Sequence, residues 1–295
     1  MTAHTLFAAP SRRAAYGKYL ASLILFGSNG VVASAIPLPS TAIVVIRTGI
    51  GALFLAAIFF LSRQKLTCFR HKKDLLFVLG SGAAMGSCWL FLYEAYQQIG
   101  ICLSSLAYFC GPVLLMAVSP LLFREKISRP MLLGFAVVLV GVVLVNGQVA
   151  RTGQVAWGLF CGGMSAVLYV LLIVLNKKAT NITGLENPTL QLAASFVVAL
   201  LFLAVTGGVD FTMASHDWAA ALFLGLVNTG VGCYLYFSSI GQLPAQSVAI
   251  CDYLEPLSAV FFSVLLLGEH LSPAQVIGAV CILGGALAGA RLSQR

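Results

Sequence analysis

Apolar stretches of about 18 to 25 residues follow one another along the whole chain with barely a polar gap, each long enough to cross a bilayer as a helix. Lipid offers a peptide group no hydrogen bond, so such stretches must satisfy their own backbone, and helices do that. With 60% of 295 residues apolar and 9% charged, against about 25% charged in soluble chains, an ordinary soluble enzyme is excluded. Hydropathy and helix breakers place ten spans, at about 17–36, 41–62, 74–98, 102–123, 130–147, 153–175, 189–206, 217–239, 246–267 and 272–291. Short links with turn chemistry part them, such as Pro37-Leu38-Pro39-Ser40, Asn146-Gly147, Asn187-Pro188 and Gly207-Gly208. The predicted fold class is all-α and integral to a membrane.

The second half repeats the first. Placing Ile127-Ser128 over Leu271-Ser272, an offset of 144, also superposes Pro112 on Pro256, Ser119 on Ser263, Glu125 on Glu269, Gly134 on Gly278 and Gly141 on Gly285. Two halves, 1–147 and 148–295, of five helices each, must then insert upside-down to each other. Inverted repeats let secondary carriers build two mirror-related conformations around one central site.

Basic residues sort to one side of the spans. With the N-terminus inside, that side holds Arg12, Arg13, Lys18, Arg63, Lys65, Arg70, Lys72, Lys73, Arg124, Lys126, Arg129, Lys177, Lys178, Arg291 and Arg295, and the other holds Arg151. Lysine and arginine near span ends stay in the cytoplasm, so both termini are expected there, in a multi-pass protein of the cytoplasmic (inner) membrane. The asymmetry accounts for the net charge of +8 without a nucleic-acid partner. Arg12-Arg13, an apolar run and Ala33-Ser34-Ala35 also fit a cleavable export signal. The five-plus-five repeat requires that span, so the arginine pair is read as a topology anchor.

Four charges lie within spans and away from their ends: Arg47, Glu94, Asp252 and Glu255. A charge at the middle of a helix costs about 2.5 to 3.5 kcal/mol on insertion scales, which asks for a partner, a wet cavity or a function. Asp252 and Glu255, three apart, share a helix face beside Pro256, which loosens the preceding turn. They are read as a site for a proton or a cationic group. Glu94, on one face with Leu90, Phe91, Gln97 and Gln98, is either a third such group or a carboxyl bonded to a neighbouring helix. Arg47, placed near the outer end of its helix, is read as architectural, snorkelling or paired internally. Glu125 and Glu269 fall in hairpins, each before a serine, and are read as turn and cap residues.

Other chemistries find little support. Eight cysteines form no CxxC pair and lie almost wholly in spans, so neither disulfides nor a metal site is expected. His4, His71, His216 and His270 lie outside the spans, which disfavours imidazole catalysis. Glycines four apart, Gly82 with Gly86, Gly158 with Gly162 and Gly285 with Gly289, point to close helix packing within the subunit, with a dimer contact at the last span left open. Trp89 and Tyr93, Tyr108, Tyr169, Tyr234, Tyr236 and Tyr253 lie within spans, where a tyrosine hydroxyl needs a partner or a cavity.

These residues carry a resemblance. Phe26-Gly27-Ser28-Asn29, Arg47, Leu254-Glu255-Pro256, the run Leu265 to Ser272 and its counterpart from Gly111-Pro112 to Ile127-Ser128 resemble an EamA-type transporter of the drug/metabolite transporter superfamily. The resemblance implies ten helices in two inverted repeats, with a central cavity lined by spans one, three, four, six, eight and nine. On those spans fall Asn29, Glu94, Tyr108, Tyr169, Asn228, Asp252 and Glu255; Trp89, Tyr93, Tyr234 and Tyr253 complete the candidate substrate-binding set. Glu94, Asp252 and Glu255 are the proton-coupling candidates. Phe26 stands where the family often has tryptophan, and the acid at Asp252 is outside the usual motif, which turns the expectation towards solutes bearing an amine.

The expected function is secondary-active export of a small organic metabolite, such as an amino acid or amine, by alternating access, with proton linkage as an option. An organic-cation or drug efflux carrier is the alternative, and an intramembrane sensor or enzyme stays open behind it. No cofactor is expected. The expected partners are a small-molecule solute and membrane lipid, for a monomer or homodimer.

Overall fold

The computed structural model describes residues 12–108 apart from 65, residues 110, 111, 114, 115, 118, 133, 134, 136, 137, 140, 141 and 144, and residues 153–292 apart from 209, 210, 241, 244–250 and 271. Pro112, Glu125, Arg151 and much of the expected fifth span lie outside the described residues. Among the described residues the chain is helical, with no strand. In chain order come α1 (Arg12–Gly27), α2 (Asn29–Ser34), α3 (Ser40–Leu61), α4 (Lys72–Tyr108), α5 (Gly153–Lys178), α6 (Glu186–Val205), α7 (Trp218–Ile240), α8 (Leu254–Leu267) and α9 (Pro273–Leu292). Five of these are long and apolar enough to cross a membrane: α3, α4 over Lys72–Ser105, α5 over Ala156–Lys178, α6 and α7. Leu53, Phe60, Leu61, Val205, Phe261 and Leu265 turn outward, as a lipid-facing surface requires.

Three departures from regular helix shape the interior, each with a local cause. Gly100 has φ +78°, so α4 turns a corner there, between the expected third and fourth spans. Glu269 holds that corner, its carboxylate accepting the backbone N–H of Ile101 at 3.1 Å and of Cys102 at 3.0 Å. It is a cap, but for a helix of the opposite half. Between α1 and α2, the Asn228 amide donates to the Leu25 carbonyl at 3.0 Å, and a side chain inserted into the ladder breaks a helix. Within α7, Leu224–Val231 forms a π-helical stretch. Such wide turns concentrate at functional sites.

The halves interlock. α4 packs along α5 and α6, α3 along α6 and α7, and α1 along α7 and α8, so the principal contacts join early helices to late ones. Close approach of α4 and α6 needs glycine: a Cβ at Gly82 would lie 2.4 Å from the Gln191 carbonyl oxygen, and one at Gly86 2.8 Å from that of Ser195. Ser195 then donates to the Gly82 carbonyl at 2.6 Å. A Cβ at Gly285 of α9 would lie 2.8 Å from the Gly134 carbonyl oxygen, so that part of α9 is occupied within the chain.

Candidate functional site

The two acids of the Asp252-Glu255 pair receive opposite surroundings. Asp252 is buried at the turn leading into α8, where the Tyr19 hydroxyl of α1 donates to Oδ1 and the Tyr169 hydroxyl of α5 donates to Oδ2 at 2.7 Å. Two phenols thus satisfy one carboxyl and tie three helices together. Glu255 lies in the first turn of α8, where the positive end of the helix dipole favours a carboxylate. Its side chain makes no hydrogen bond to a described residue and lines a central cavity.

That cavity sits where α1, α4, α5, α7 and α8 meet. Asn29, Trp89, Tyr108, Tyr169 and Glu255 line it, together with Tyr236, whose ring packs 5.3 Å from that of Tyr19 and 5.7 Å from that of Phe26. Its volume of about 40 Å³ holds a water-sized group. Organic ligands occupy roughly 300–1,000 Å³, so the aromatic walls must part before one could enter. On α4 the lining residues Met85, Cys88, Trp89 and Leu92 follow the i, i+3, i+4, i+7 pattern of a single helix face.

A buried arginine closes one side of this space. Arg47 is wholly buried and donates from Nε to Thr229 Oγ1 at 2.9 Å, to the Tyr93 hydroxyl, and to Asn29 Oδ1 at 3.5 Å. Its guanidinium stacks 4.1 Å from the Trp89 ring centroid and 5.0 Å from that of Tyr93. Internal pairing, not snorkelling, accounts for it. Among the described residues no carboxylate lies within salt-bridge distance, so this cation is held by neutral oxygens and aromatic faces. Asn29 lines the central cavity and Tyr93 a separate one of about 230 Å³ beside Ile36, Tyr96 and Gln97. Arg47, bonded to both, is the pin of the layer between them.

The remaining candidates fall elsewhere. Asn228, on the π-helical stretch, donates to Leu25, Ser28 and Asn29 and holds the α1–α2 break. Tyr253 is buried off the cavity, its hydroxyl without a partner among the described residues. Tyr234 lies half-buried with the Lys18 ammonium 5.7 Å from its ring centroid. Two positions on a helix turn about 200°, so Tyr236 faces the cavity where Tyr234 does not. Glu94 sits on the far face of α4, bonded to Ser40 at 2.7 Å and Gln98 at 3.0 Å. Sequence reasoning passed over Arg47 and Tyr236 as site residues; helical phase relative to Trp89 and Glu255 was the signal available for them.

Comparison with known proteins identifies the family. The model of the EamA-like transporter family matches twice, over residues 15–147 and 156–288. An uncharacterized transporter of Bacillus subtilis (strain 168), YxxF, is 24% identical over 271 residues, covering 91% of this chain and 86% of its own. A second from the same organism, YetK, is 30% identical over 183 residues, 59% of this chain and 55% of that one. A solved crystal structure matches with a TM-score of 0.71 at 17% identity, over 97% of this chain and all of the other, a likeness that speaks to fold alone. Two matches to one family model cover nearly the whole chain in tandem, and on that ground the chain belongs to the EamA-like transporter family.

Proposed function

We propose that this transporter is a secondary-active exporter of a small organic metabolite such as an amino acid or an amine, working by alternating access in the cytoplasmic membrane. In this reading ten spans form two inverted five-helix repeats, divided at 147/148, with both termini in the cytoplasm. The one-sided distribution of lysine and arginine supports that orientation. The observation that carries the reading is Glu255: a carboxyl with no side-chain hydrogen bond among the described residues, in a cavity that early and late helices build together.

Glu255 takes up a proton or the solute's ammonium group. Asp252, held by Tyr19 and Tyr169, fixes α8 to α1 and α5, so that Glu255 moves with them. Trp89, Tyr108 and Tyr236 contact the apolar part of the solute once the walls part. The Arg47 layer closes one entrance while the other opens, and rocking of the halves exchanges the two. The small central volume supports a closed stage of that cycle. No catalytic step and no cofactor enter this scheme.

Counterflow in liposomes containing the purified protein, across a panel of amino acids, polyamines and quaternary amines, tests the proposal. Saturable exchange that disappears in Glu255→Gln is expected; flux unchanged by that substitution would overturn the assignment. Aromatic walls around a carboxyl also favour an organic-cation efflux carrier, and competition between amines and amino acids in the same assay separates the two.

A further inference from the structure

Glu94 lines a second pocket. The residues of α4 that line the central cavity are Met85, Cys88, Trp89 and Leu92, whereas Ser87, Leu90, Phe91 and Glu94 repeat the same spacing two positions on and therefore face the other way. Against that second face lies a pocket of about 350 Å³ between α3, α4, α5 and α6, at the end of the bundle where α3 begins and α6 ends. This is within the range of small-molecule sites, roughly 300–1,000 Å³, and far larger than the central cavity.

The chemistry of the pocket is one-sided. Leu90, Phe91, Cys161, Val198 and Phe202 make its walls apolar. At the rim Glu94 accepts from Ser40 Oγ at 2.7 Å, from Gln98 Nε2 at 3.0 Å and from Trp157 Nε1 at 3.4 Å. All three donors are neutral, and a carboxylate has about four acceptor positions. Among the described residues no cation lies within salt-bridge distance of it. Trp157 stacks on Phe160 with ring centroids 5.5 Å apart, and Phe160 meets Phe91 edge-on at 6.3 Å, an aromatic wall suited to a cation. From Glu94 down to Ser87 the pocket runs seven residues of helix, about 10 Å. Among the described residues no lysine or arginine lines it to receive a phosphate.

We propose that this pocket binds a primary amine carrying an apolar tail, with the ammonium on Glu94 and the tail between Phe91 and Phe202, at a site separate from Glu255. The inference does not rest on the carrier reading, because binding here can be measured without flux.

The test uses the purified full chain in phosphatidylcholine nanodiscs and a photoactivatable diazirine on an aliphatic primary amine, with the same chain ending in an alcohol as reference. Mass spectrometry should find the amine enriched about tenfold over the alcohol within 157–161 or 198–202, stretches that do not line the central cavity, the margin of one charge-assisted bond. Glu94→Gln should bring the amine down to the alcohol level, and Ser87→Leu, which keeps the carboxyl but fills the floor, should block labelling by both. Glu255→Gln should leave the pattern unchanged. Equal labelling by amine and alcohol, or enrichment that survives both pocket substitutions in monodisperse protein, would overturn the proposal. Displacement of the amine by phosphatidylglycerol, a phospholipid without an amine, in the nanodisc would overturn it too, assigning the pocket to lipid tails.

Discussion

Asp252 and Glu255 stand one helical turn apart and carry the same functional group, yet one is locked and the other exposed to a cavity. Both oxygens of Asp252 accept from phenols of two other helices, which fixes the carboxyl in place. Glu255 has no side-chain bond to any described residue. A carboxyl in a membrane helix costs about 2.5–3.5 kcal/mol, and the fold offsets that cost in one case with structure and leaves it open in the other. Burial of an acid is thus not by itself a mark of function. What distinguishes the two is which acceptor positions remain empty.

The sharpest test of that contrast is Glu255→Gln. Exchange should fall by roughly a hundredfold, the equivalent of one lost charge interaction of about 2.7 kcal/mol, while the melting temperature stays nearly constant because no side-chain hydrogen bond among the described residues is removed. A large loss of stability with flux retained would reverse the roles given to the two acids. Next in size is Arg47→Ala, which strips donors from Thr229, Asn29 and Tyr93 and unstacks Trp89. A loss of about 2–4 kcal/mol is expected for breaking a buried network, read by thermal or denaturant unfolding in detergent. Arg47→Lys should recover only part of it, since an ammonium cannot reproduce the planar fork.

The lock itself should respond more gently. Tyr19→Phe and Tyr169→Phe are each expected to cost about 0.6–1.7 kcal/mol, between the mean and the maximum measured for hydrogen bonds between membrane helices. Their double substitution should depart from the sum, because both phenols share one carboxylate. Strict additivity would mean the two bonds do not act as a unit. The smallest effect belongs to Glu269→Gln, at about 0.5–1 kcal/mol, since an amide oxygen still accepts the Ile101 and Cys102 N–H groups but without charge. Loss of helical signal on the scale of a whole span would show that the corner at Gly100 depends on that carboxylate alone.

Much of the architecture is readable from residue order. Segment length and the scarcity of charge dictate helices in lipid, and the match of Pro112 with Pro256 and of Glu125 with Glu269 announces the repeat that the family model then finds twice. The Asp252-Glu255 pair is visible as a costly feature for the same reason. Less legible is the phase of each helix. Tyr234 and Tyr236 look alike in the chain, as do Trp89 and Glu94 on α4, and only the direction of the neighbouring helices divides them between cavities. The π-helical stretch that turns Asn228 and Thr229 towards α1 and α3 has no local signature, because it is set by the packing around it.

Arg47 shows how far pattern alone reaches. Its position in an apolar helix marks it as expensive, but its partners come from residues 18, 46 and 182 positions away. The bond between Tyr19 and Asp252 spans 233 residues. By its order of residues alone, the chain determined that it would be a helical, twice-repeated membrane protein of a transporter family, because hydropathy and the cost of unpaired peptide groups act locally. Which carboxyl is sealed, which one faces the centre and which one looks into a separate pocket was decided only when distant helices met, since hydrogen bonds depend on atoms a few ångströms apart and not on distance along the chain.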